Sequence, residues 1–155
     1  MLNEKLLRPY NPKETEERIY RLWEESGFFN PDKLPKRHRE PFTIIMPPPN
    51  ANGSLHAGHA VFVTTEDLII RFERMRGKKT LWLPGADHAG FETQVVYEKQ
   101  LEKEKRTRFG MDPEKLRKEI LEFTLFNKKF MENQLRQLGA SCDWSRTRFT
   151  MDPEY

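Results

Sequence analysis

Three prolines, Pro47 to Pro49, stand directly after "FTIIM" (Phe42 to Met46) and directly before "NANGSLHAGHA". No other junction constrains the fold as much. "FTIIM" is a short unbroken apolar run with β-branched residues at its centre, the pattern of a strand buried in a parallel sheet. Prolines donate no N–H, so the ladder must end there. A small polar run follows. A helical pattern then runs from about His56 to Arg76, with Val61, Leu68, Ile69, Phe72 and Met75 as its apolar content and Gly77 as its stop. "KTLWLPG", Lys79 to Gly85, reads as a second buried strand, "ADHAG" as a loop and "FETQVVYEKQLEKEK" as a second helix. Strand, loop, helix, strand, loop, helix is a βαβ unit with a parallel sheet and a right-handed crossover. The fold class expected is α/β, the first half of a doubly wound, Rossmann-like nucleotide-binding domain.

The flanks read more simply. "NPKETEERIYRLWEESG" predicts a helix capped by Asn11, with Pro12 at its first position and Glu14 where a capping-box acid belongs. Ile19, Leu22 and Trp23 form its apolar stripe and Gly27 ends it. Asn30 to Pro41 is a charged, proline-bounded linker, so residues 1–40 are expected to be a helix and linker ahead of the main unit, 41–155. Asp112-Pro113 opens a third helix that runs to about Leu138 and stops at Gly139. Phe123, Phe126 and Phe130 on it are spaced for the core. "MDPEY" repeats the Asp-Pro-Glu opening of "MDPEK": Asp152 and Pro153 announce another helix, and the expectation is a truncated chain.

Composition adds limits. Of the 155 residues, 36% are apolar and a net charge of +3 remains from 27 basic and 24 acidic side chains. A thin core is implied, or one completed by something else. The mild basicity permits a nucleic-acid partner without arguing for one. Cys142 is alone, which excludes an internal disulfide and a Cys-x-x-Cys zinc site and suits a reducing, cytoplasmic compartment. No apolar run is long enough to span a membrane, and "MLNEKLLRPY" is too short in apolar residues for a signal peptide.

In an open parallel sheet, ligands bind beyond the carboxyl ends of the strands. The proline loop and "GADHAG" both leave such ends, so they are expected to line one crevice. The helix from His56 aims its first N–H groups into it, a setting that favours phosphate. His56 and His59 share one face of that first turn, and Gly58 between them lets a ring or a phosphate chain approach the backbone. No carboxylate or cysteine stands at ligand spacing on the same face, so no metal is expected there. The glycines match neither the dinucleotide fingerprint nor the phosphate loop. On residues alone this is a nucleotide-phosphate site.

"HAGH" after a proline-rich strand end resembles the His-x-Gly-His motif of class I aminoacyl-tRNA synthetases. "PPPN", "GSLHAGHA", "LWLPGADHAGFETQ" and "QLRQLGASCDWSRTRFTMD", in this order, resemble the valyl-tRNA synthetases over nearly the whole chain. "NANG" departs from their usual Asn-Val-Thr-Gly toward the isoleucyl and methionyl enzymes. The Lys-Met-Ser-Lys-Ser loop, the editing domain and the anticodon-binding domain of that family have no counterpart in these residues. The chain would thus end before or at the editing insertion, and on its own would be weak or inactive and unable to hydrolyse threonyl-tRNA.

The resemblance implies activation of valine with ATP and transfer to tRNA(Val), with Mg2+ accompanying the ATP, in a full-length protein that is a monomer. His56 and His59 would stabilise charge on the α-phosphate. Gly58, Asn52 and Gly53 would complete the ATP site. Pro47, Pro48, Asn50 and Gly85 would shape the valine pocket, with backbone carbonyls left free by the prolines, and Asp87 would pair with the substrate ammonium. His88 is open between support and packing. "QLEKEKRTRFG", Gln100 to Gly110, reads as a solvated helix end or a tRNA contact. An isoleucyl-type fragment and a non-catalytic nucleotide- or RNA-binding half-domain remain alternatives.

Overall fold

The computed structural model describes residues 9–154. Residues 1–8, most of the stretch too short in apolar residues for a signal peptide, and the terminal Tyr155 lie outside the described residues.

Among the described residues the fold is built from four α-helices and two adjoining two-stranded parallel pairings. Helix α1 covers Pro12–Ser26. Strand β1 (Pro41–Ile45) leads through the proline loop to α2 (Ala57–Met75), then to β2 (Lys79–Leu83). A two-residue strand, β3 (Gly85–Ala86), continues past Pro84. Helices α3 (Gly90–Lys103) and α4 (Pro113–Gln137) follow, and β4 (Arg148–Phe149) returns to the sheet. The βαβ reading holds: β1 and β2 pair in parallel, with Phe42 opposite Thr80 and Ile44 opposite Trp82.

The second strand is shorter than its sequence pattern. Pro84 interrupts it, and β3 pairs in parallel with β4, Gly85 opposite Arg148 and Ala86 opposite Phe149. β4 carries no strand signal in the sequence. It forms because residues 143–150 lie along the free side of β2 and β3: the N–H groups of Asp143, Arg148 and Thr150 donate to the carbonyls of Trp82, Pro84 and Ala86.

Burial corrects several expectations. β1 is not covered on both faces. Phe42 and Ile44 turn inward toward α2, while Ile45 on the other face is 70% exposed. In α2 the inward residues are Val63, Ile70 and Glu73, and the apolar set Val61, Leu68, Ile69, Phe72 and Met75 is exposed. In α4 the core is built by Thr124, Asn127, Met131 and Leu135. Phe126 and Phe130, expected inside, are exposed, and Phe123 is half-buried against Tyr97. Leu22 of α1 is also exposed. The cause is common to all. Only one side of each element has a partner in these residues, and periodicity cannot say which side that is.

Caps show a similar mixture. Gly27 ends α1 in the left-handed region (φ 76°) as expected, and Asp112 caps α4 by accepting the Lys115 N–H. Asn11 makes no side-chain cap. Its amide donates to Glu14 at 2.7 Å instead. Asp152 starts no helix among the described residues. Its carboxylate turns back to accept the Phe149 N–H at 2.9 Å.

The principal core gathers Met46, Val63, Ile70, Trp82, Leu135, Ala140 and Cys142 under α2. A smaller cluster of Ala51, Ala86, Met131 and Phe149 sits under the proline loop, and Leu55 packs against both. Residues 9–40 are tied to this body. The Tyr20 hydroxyl donates to the Ala140 carbonyl and accepts from the Trp144 indole, and Asp32 pairs with Lys79 and Arg146.

Candidate active site

The first turn of α2 is closed by its own histidines. His56 is the N-cap, in extended backbone, and its Nδ1 accepts the Gly58 N–H at 3.1 Å. His59 reaches back, and its Nδ1 accepts the His56 N–H at 3.2 Å. The two rings lie 4.0 Å apart between centroids. An Nδ1 that accepts a backbone N–H carries no proton, so each ring is neutral with its hydrogen on Nε2. Partial burial, and secondarily the neighbouring His56, hold the His59 pKa below its ordinary 6.5.

This changes what the turn can offer. The sequence suggests free backbone N–H groups. In the structure the Gly58 N–H is taken by the His56 ring and the His59 N–H by the His56 carbonyl. The donors left for an anion are the Ala57 N–H and the two Nε2–H groups. Gly58 is needed for the cap as well as for access, because a Cβ there would lie 2.9 Å from His56 Cε1.

The two loops beyond the strands are joined, as expected for one crevice. Asn50 and Asp87 form a parallel bridge: the Asp87 N–H donates to the Pro49 carbonyl (2.9 Å) and the Ala51 N–H to the Asp87 carbonyl (2.7 Å). The Asn50 carbonyl accepts the Asn52 N–H. The carbonyls of Pro49 and Asn50 are therefore engaged, so of the three expected to offer a free carbonyl, Pro47, Pro48 and Asn50, the last does not. Pro47 and Pro48 are exposed on this loop, and Gly85 packs against Pro48. Pro48, Asn50, Gly85 and Asp87 thus form one group, His56, Gly58 and His59 another, and Asn52 and Gly53 lie in the turn between them.

Side chains from distant elements support both groups. The Asn50 amide donates to Glu92 of α3 at 2.9 Å. The Leu55 N–H, just before the histidine turn, donates to Gln134 of α4 at 2.9 Å. Asp87 Oδ1 accepts the Ala89 N–H (2.9 Å) and the Thr150 hydroxyl (3.1 Å). Ala89 sits in the left-handed region at φ 46°, a conformation this turn imposes on a residue with a side chain. Among the described residues no three His, Cys, Asp or Glu side chains converge to hold a metal ion. The donor set does not fit a protein-made Mg2+ cage.

Residues 18–155 match the family model described as tRNA synthetases class I (I, L, M and V). The chain belongs to the class I tRNA synthetases. It is 48% identical over 146 residues to a valine–tRNA ligase of Nitrobacter winogradskyi, covering 94% of this chain and 15% of that protein. It is 49% identical over 148 residues to the valine–tRNA ligase of Brucella suis, covering 95% and 16%. A chloroplastic/mitochondrial valine–tRNA ligase of Arabidopsis thaliana is 49% identical over 140 residues, covering 90% and 14%. The chain therefore spans less than a fifth of the length of these relatives. A LeuRS–tRNA–LeuAMS ternary complex from Agrobacterium radiobacter has the same fold, with a TM-score of 0.67 at 21% identity over 95% of this chain and 17% of that one.

In this class I chain the fold is α/β with parallel strands, and no helix among the described residues is long and apolar enough to cross a membrane. The sequence reading missed Glu92, Gln134 and Thr150. Each lies 42 to 79 residues from the group it holds, so no local spacing could reveal it.

Proposed function

We propose that this chain carries the first half of the catalytic site of a valine–tRNA ligase, which activates valine with ATP and transfers it to tRNA(Val). The observation that carries the reading is near-half identity with proteins of that name across nine-tenths or more of the chain. In this reading residues 41–155 bear the site, residues 1–40 are the helix and linker ahead of it, and Tyr20 and Asp32 tie that segment to the body.

The chemistry follows from the groups available. The valine carboxylate attacks the α-phosphorus of ATP, the bond to the bridging oxygen breaks, and pyrophosphate leaves. A carboxylate is already ionised near neutrality, so no general base is needed. The residues have to position the reactants and stabilise charge on the phosphate. His56 and His59 would donate Nε2–H to phosphate oxygens as neutral imidazoles. Gly58, Asn52 and Gly53 would give the nucleotide room beside the turn. Asp87 would take the ammonium of valine through Oδ2, since Oδ1 is engaged. Pro47, Pro48, Asn50 and Gly85 would bound the side-chain pocket. Mg2+ would be held through the nucleotide's phosphates. The reading includes a monomeric full-length protein in the cytoplasm, which the single buried Cys142 suits.

Amino-acid-dependent exchange of pyrophosphate into ATP tests this. Exchange that depends on valine, with threonine weaker by about 10²-fold, is the expected result. Isoleucine-dependent exchange would reassign the substrate. ATP binding without any exchange would make the chain a nucleotide-binding module.

A further inference from the structure

Thr150 is exposed, lies in the turn just after β4, and touches the Asp87 loop from across the sheet. Its hydroxyl meets three groups: Asp87 Oδ1 at 3.1 Å, the His88 N–H at 2.8 Å and His88 Nδ1 at 2.5 Å. A hydroxyl has one hydrogen and two lone pairs. The carboxylate oxygen can only accept, so the Thr150 hydrogen goes to Asp87. The His88 N–H fills one lone pair. The second lone pair then faces His88 Nδ1, which must itself carry a hydrogen. Thr150 thereby orders a chain, His88 Nδ1–H to Thr150 O–H to Asp87 Oδ1. It also makes His88 the opposite tautomer to His56 and His59.

We propose that Thr150 is a positioning residue: its hydroxyl holds the Asp87 carboxylate with Oδ2 turned to the crevice and fixes His88 with Nδ1 protonated and Nε2 accepting. Its role in substrate binding rests on the reading of Asp87 as the ammonium partner; its effect on Asp87 and His88 does not. Backbone register makes the contact dependable. Gly85 and Ala86 pair with Arg148 and Phe149, and the Thr150 N–H donates to the Ala86 carbonyl at 3.2 Å. The Thr150 side chain is therefore delivered to the Asp87 loop by strand pairing between segments more than sixty residues apart. The alternative donors to Asp87 Oδ1 are the Ala89 N–H, which closes the local turn, and His88 Nδ1 at 3.6 Å, too long for a hydrogen bond.

The test compares Thr150→Val, nearly the same shape without the hydroxyl, with Thr150→Ser, which keeps it. The first readout is the tautomer of His88 in the 155-residue chain, from the 15N shifts of its ring. Protonated Nδ1 in the parent chain and in Thr150→Ser, lost in Thr150→Val while the remaining amide spectrum is unchanged, is the expected result. A His88 protonated at Nε2 in the parent chain, or a tautomer indifferent to Thr150→Val, overturns the proposal whatever the substrate is. If Thr150→Val disturbs the fold, the parent and Thr150→Ser tautomers still decide. The second readout is a titration with L-valine. A loss of affinity of about tenfold in Thr150→Val, restored in Thr150→Ser, is expected for one hydrogen bond supporting a charged group. Valine binding unaffected by Thr150→Val removes the substrate role. Absence of valine binding in the parent chain, with the tautomer result intact, counts against the proposed function and leaves the positioning role standing.

Discussion

His59 is kept neutral by two causes acting in one direction, partial burial and the second imidazole beside it. Both lower the folded-state pKa below the unfolded value near 6.5. The cap contribution is therefore complete above that pH, and is lost as pH falls through the folded pKa, because the unfolded chain binds the proton first. Protonated Nδ1 would also face the His56 N–H, donor against donor. Acidification from about pH 7 to 5 is expected to open the first turn of α2 locally, with His59 titrating below an ordinary histidine in a ring NMR titration. A His59 titrating at or above 6.5 would contradict the cap geometry. Gly58 supplies a second prediction. In Gly58→Ala the new Cβ would force the His56 ring away and cost a cap worth about 1 kcal/mol. Alanine returns up to about 1 kcal/mol in helix propensity. Melting should change little while ATP affinity falls, measured side by side by thermal denaturation and nucleotide titration. The residue types of this turn were legible in the sequence. Their tautomers were not, since those depend on which ring nitrogen meets which backbone hydrogen.

At the scale of elements, α2 shows how much a pattern carries. Its start near His56 and its stop near Gly77 follow from the apolar pattern and the glycine, and the structure agrees within a residue or two. Its buried face does not follow. Apolar residues occur on both sides, and the side that wins is the one packed on β1 and β2 through Val63 and Ile70. A polar anchor on the same helix fixes its middle. Asp67 accepts Arg71 Nε (2.6 Å), the Ser141 N–H (3.0 Å) and the Ser141 hydroxyl (2.5 Å), and Ser141 is fully buried. Asp67→Ala would strand the Ser141 N–H and release Arg71, a loss of about 3 kcal/mol. Chemical denaturation should show it as a lower midpoint with an unchanged slope. A loss under about 1 kcal/mol would mean that water replaces the carboxylate.

Over the whole molecule, the low apolar fraction is not evenly spread. Among the described residues one side of the sheet and the outward side of α2 are uncovered, with Leu68 67% and Phe72 53% exposed beside Val61 and Met75. Patches of this kind drive association. The chain is expected to self-associate with rising concentration. Leu68→Glu with Phe72→Glu should restore a monomer in sedimentation velocity without lowering the melting temperature, because neither side chain is in the core. Persistent association in that double variant would move the sticky surface elsewhere, to the Ile45 face of the sheet first.

From sequence alone came the four helices, the strands β1 and β2 and their parallel pairing around a helix, the proline stop and the histidine turn at the head of α2. All of these rest on interactions within a few residues, or on periodicity, which a linear chain displays directly. Only the tertiary structure decided that Pro84 splits the second strand, that Arg148 and Phe149 return to pair beside it, and that Thr150, Glu92 and Gln134 brace the site. Those contacts join segments tens of residues apart. Their existence depends on where the packed core delivers each backbone, which local spacing does not encode.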